Sequence, residues 1–79
     1  MSDSWREEVV GIIRSHGGKI TLQEIYRRME TSPLVTPYHR QPWHRGGQPR
    51  YQCWIRRVLT DLVKAGDVIR VTKGVYKAR

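Results

Sequence analysis

The chain has 79 residues, 38% of them hydrophobic, and its 15 Lys and Arg against 7 Asp and Glu give a formal net charge of +8. So short a chain builds one small domain, 1–79, with a modest core and little interior for an enclosed catalytic cavity, so an ordinary enzyme is not expected. Residues 1–30 carry five bases and five acids, whereas residues 31–79 carry ten bases and only Asp61 and Asp67, so the whole excess lies in the second part.

Ser4-Trp5-Arg6-Glu7 has the form of a capping box, in which a Ser hydroxyl and a Glu three residues on satisfy orphan backbone donors at a helix start. Trp5, Val9, Ile12 and Ile13 follow at the spacing of one buried face, which predicts a helix over about 4–15. Gly17-Gly18 stops it, and Ile20 is placed in a very short strand. Thr21-Leu22-Gln23-Glu24 repeats the capping box, and Leu22, Ile25, Tyr26 and Met29 predict a second helix over about 22–30. A loop over about 32–48 follows, because this part of the chain holds Pro33, Pro37, Pro42 and Gly46-Gly47.

Pro49 suits a helix start, and Tyr51, Trp54, Ile55, Val58, Leu59, Leu62 and Val63 keep helical period up to Gly66. Val68-Ile69-Arg70-Val71 and Val75-Tyr76-Lys77, flanking Thr72-Lys73-Gly74, predict a hairpin. The expected fold class is therefore α+β: a winged helix-turn-helix of three helices and a two-stranded wing, with the Ile20 strand as a third.

On the third predicted helix, Cys53, Arg56, Arg57, Thr60 and Lys64 fall opposite the apolar stripe, with Gln52 on the flank. An α-helix fits the DNA major groove, where Arg pairs with guanine, Gln with adenine, and Thr meets a thymine methyl. The plainer reading is a solvated face. Against it, residues 31–60 hold Arg40, Arg45, Arg50, Arg56 and Arg57 and no acid, and the hairpin adds Arg70, Lys73, Lys77 and Arg79.

The stretch from Arg50 through Trp54, Arg56, Arg57, Thr60 and Gly66, with Val68-Ile69-Arg70-Val71 and Lys73-Gly74-Val75-Tyr76, resembles the winged-helix domains attached to restriction endonucleases of the Mrr type. Thr21-Leu22-Gln23-Glu24-Ile25-Tyr26 resembles the related HARE-type helix-turn-helix domains. The likeness covers nearly the whole chain except about 32–48. It implies a DNA-binding module that, in several such families, reads modified bases, with N6-methyladenine expected before methylcytosine. It also implies either a nuclease domain in a longer native protein or a free-standing regulator.

The sequence thus nominates Gln52, Arg56 and Thr60 for base edges and Arg40, Arg45, Arg50, Arg57, Lys64, Lys73 and Lys77 for the DNA backbone. Tyr38, Trp43 and Trp54 are nominated for contact with a base methyl, the alternative being that they pin the loop to the domain. A protein-interaction module and an RNA-binding module are the rival readings. His39, His44 and Cys53 lack the paired spacing of a zinc site, and no metal or cofactor is expected. No apolar run approaches the roughly 18 residues of a membrane span, and Met1-Ser2-Asp3-Ser4 does not open a signal peptide. The single Cys53 forms no internal disulfide, so a reducing, cytoplasmic setting is expected, nucleoid-associated in a prokaryote.

Overall fold

The computed structural model describes residues 3–42 and 47–79. Their order is α1 (Asp3–His16), β1 (Ile20–Thr21), α2 (Leu22–Glu30), α3 (Pro37–Arg40), α4 (Arg50–Ala65), β2 (Val68–Thr72) and β3 (Val75–Ala78). The architecture is α+β, with four helices among the described residues rather than the expected three, and an antiparallel sheet in the order β1-β3-β2. The extra helix is one turn inside the proline-containing loop. Pro37 sits at its first turn, where a missing N–H costs nothing.

α1 begins one residue before Ser4, so Ser4 lies inside the helix and does not cap it. Thr21 does cap α2: its Oγ1 accepts the Glu24 N–H at 3.2 Å. Glu24 completes no box, because its carboxylate takes Arg27 Nη2 at 2.8 Å and Arg28 Nε at 3.4 Å. These two guanidiniums, Arg27 foremost, hold its pKa below the usual carboxylate value.

The core is where the helical stripes meet. Trp5, Val9 and Ile13 of α1, Ile25 and Met29 of α2, and Ile55, Val58, Leu59 and Leu62 of α4 are buried together with Ile20 and Val68. Gly66 ends α4 in the left-handed region at φ 85°, its N–H donating to Leu62 and Val63 carbonyls. β2 and β3 pair Val68 with Ala78 and Arg70 with Tyr76, and the register shifts between Arg70 and Thr72. β1 pairs Ile20 with Tyr76, and Leu22 N–H donates to the Gly74 carbonyl at 2.8 Å, so the hairpin turn is fastened to the start of α2.

Candidate nucleic-acid interface

The strand alternation settles which hairpin side chains meet α4. Val68 is buried, so Arg70, two residues on, shares its face, and its partner Tyr76 packs against the core. Ile69 and its partner Lys77 take the opposite face, where Ile69 and Val71 are exposed. Between α4, the hairpin and the start of α2 runs an open groove of about 390 Å³. α4 lends it Arg56 and Thr60, the hairpin Arg70, Lys73 and Tyr76, α2 Gln23 and Tyr26, and the preceding loop Gln48. None of its described lining residues is acidic. A second groove of about 250 Å³ shares Thr60, Arg70 and Tyr76 with the first and adds Lys64. Arg56, Arg70, Lys73 and Lys64 therefore line one basic track along α4.

Like charges gathered in a concavity, as Arg56, Arg70 and Lys73 are here, attract an anion more strongly than the same charges scattered over a convex surface. The groove also contains its own neutral hydrogen-bonding groups. Arg56 Nη1 donates to Gln48 Oε1 at 3.2 Å, and Thr60 Oγ1 donates to the Arg56 carbonyl at 3.0 Å, which leaves the Thr60 methyl as the apolar part of that side chain. Tyr26 is 6% exposed, and burial raises its hydroxyl pKa above the ordinary tyrosine value, with the Arg56 cation acting in the opposite direction.

Several nominated residues lie elsewhere. Gln52 is half-buried on the α2 flank, beside Glu24, Arg27 and Glu30, and its Nε2 donates to the Tyr51 hydroxyl at 3.4 Å. Lys77 faces away from the track, and Arg57 is exposed on α4 outside both grooves. Cys53, expected on the open face, is half-buried. Arg40 and Arg50 brace the loop: Arg40 Nη2 donates to the Glu30 carbonyl, and Arg50 Nη1 donates to Tyr38 O at 3.4 Å and Gln41 Oε1 at 3.3 Å. The Arg50 guanidinium also lies 4.4 Å from the Tyr38 ring centre.

Trp54 is half-buried, its ring 5.7 Å from Trp5 and 5.5 Å from His39, so it packs α3 and α1 against α4. Tyr38 stays 50% exposed. Trp43 and Arg45 lie outside the described residues, as does His44. Of the polar groove residues, the sequence nominations omitted Arg70 and Gln48, along with Gln23, Tyr26 and Tyr76. Arg70 was findable, since a strand position two from a buried Val shares its face. Gln48 carried no such signal, because it lies in the irregular segment before α4, where no periodicity places a side chain.

Comparison with known proteins finds no matching family model, no similar characterised protein and no similar solved structure. Among the described residues no helix is long and apolar enough to cross a membrane.

Proposed function

We propose that this chain is a winged helix-turn-helix module that binds double-stranded DNA, with α4 in the major groove and the β2–β3 hairpin as the wing along the adjoining backbone. The observation that carries this reading is the groove, without an acid among its described lining residues, in which Arg56, Arg70 and Lys73 converge from α4 and the hairpin. A helix lying in the major groove turns its exposed side chains to base edges, while flanking elements meet phosphates. Arg56 and Thr60 accordingly read bases, the Thr60 methyl against a thymine methyl, and Arg70, Lys73 and Lys64 hold phosphates, with Arg57 beside them. Gln52 drops out of the base-reading set because it is turned to the mixed-charge flank of α2. Arg40 and Arg50 serve by fixing the loop. Any contact with a base methyl falls to Tyr38 among the described residues, since the Trp54 ring is engaged by Trp5 and His39.

The test is a binding titration with duplex DNA, single-stranded DNA and structured RNA at several salt concentrations. Duplex is expected to bind best, with log K falling by about 0.9 per log unit of salt for each phosphate neutralised. Arg56→Ala should cost about 1–3 kcal/mol on a preferred site and flatten its preference, whereas Lys73→Ala should weaken all sequences alike and reduce the salt slope by about 1. Equal, uniform losses in the two variants would undo the division of roles. No duplex binding at low salt would undo the reading itself.

A further inference from the structure

An arginine on an open helix face is a poor reader of one base unless something holds it, because four side-chain torsions must be fixed at the moment of binding. In the groove, Arg56 has the cations Arg70 and Lys73 as neighbours, which accept nothing from a guanidinium. Its acceptor is Gln48, whose Oε1 takes Nη1 at 3.2 Å across eight residues of chain. Both side chains are exposed, so the bond is not forced by burial and contributes little to the fold. The acceptor is also an amide. A carboxylate at this place would orient Arg56 equally well but would cancel part of the field that draws a polyanion, whereas the amide orients the cation and leaves its charge intact.

We infer that Gln48 is a positioning residue that makes Arg56 specific for guanine; this rests on the DNA-binding reading above. With Nη1 tethered, the guanidinium keeps further N–H donors in a fixed plane. Two of them match the O6 and N7 acceptors that guanine alone presents side by side in the major groove. Arg70 and Lys73, on the hairpin side of the same groove, supply the sequence-independent attraction. Arg56 therefore does not need to serve as a phosphate anchor.

The experiment is a duplex-library selection followed by affinity measurements on the chosen site and on its best guanine-substituted competitor. It uses the wild type, Gln48→Ala, Arg56→Ala, the double variant and Gln48→Glu, with circular dichroism to confirm that each is folded. The wild type should select a guanine at one position. Gln48→Ala should lose roughly tenfold of that preference with an unchanged salt slope, and the double variant should lose no more than Arg56→Ala alone. Gln48→Glu should restore the preference while weakening binding to every duplex. Full guanine preference in Gln48→Ala, or a loss spread evenly over all sequences, would overturn the inference. So would a wild type that binds duplex without any guanine preference, which leaves the DNA-binding reading standing. A wild type that binds no duplex at low salt overturns both.

Discussion

Gly66 shows how one residue sets the position of the β2–β3 hairpin. Its φ of 85° turns the chain out of α4 and into β2, and its carbonyl accepts Arg79 Nη1 at 3.2 Å. A Cβ here would lie 2.8 Å from Arg79 Nη1, the mobile end of a long side chain, so the main cost is the left-handed backbone. Gly66→Ala should therefore lose about 1–2 kcal/mol in a urea titration, and an unchanged midpoint would contradict the strain argument. Tyr26 gives a second test. Its folded pKa is raised by burial, so the folded state holds the phenolic proton more tightly than the unfolded chain does. The stability it contributes is complete below the ordinary tyrosine pKa and is lost as pH rises through the raised one. Tyr26→Phe should flatten the fall in thermal midpoint above about pH 10, and an equally steep fall in the variant would assign that loss to other groups. The Gly66 stop could be read from the sequence because glycine after a periodic apolar run has few other uses. The Gln48–Arg56 bond could not, because no periodicity relates a loop residue to a helix face.

At the scale of elements, regular amphipathic segments were readable and irregular ones were not. The second predicted helix, 22–30, coincides with α2, since a Thr cap and four apolar positions specify its start and its face. α3 was missed because four residues are too few to show a period, although Pro37 after Thr36 marked a helix start. Thr36 N–H donates to His39 Nδ1 at 3.1 Å, and the His39 ring lies 5.0 Å from Trp5, so this turn is held by tertiary contacts as much as by its own sequence. Trp5→Ala should accordingly cost about 3–5 kcal/mol in denaturant unfolding, and a loss near zero would mean that α1 does not depend on this cluster. The hairpin has two chemically different faces: Arg70 and Tyr76 toward α4, Ile69 and Lys77 away from it. Lys77→Ala should therefore leave the salt slope of duplex binding nearly unchanged where Lys73→Ala lowers it by about 1. The same fall in both would mean that DNA meets the outer face of the hairpin.

Across the whole molecule, the charge excess changes at the end of α2, although one core joins the two parts. The first 30 residues, with α1, β1 and α2, are balanced, and all of the +8 belongs to the later part that contains α3, α4 and the hairpin. The sequence located that excess but scattered its ten cations over helix, loop and hairpin. Folding sorts them: Arg40 and Arg50 brace the loop, Lys77 turns outward, and Arg56, Arg70, Lys73 and Lys64 line one track. Such sorting depends on which helix face meets which sheet face, and a linear count of charges does not contain it. The most direct test is a titration of isotope-labelled protein with a duplex, followed by amide chemical-shift changes. The account predicts the largest changes at Gln48, Arg56, Thr60, Arg70 and Lys73, with little at α1; changes centred on α1, or on Ile69 and Lys77, would contradict it.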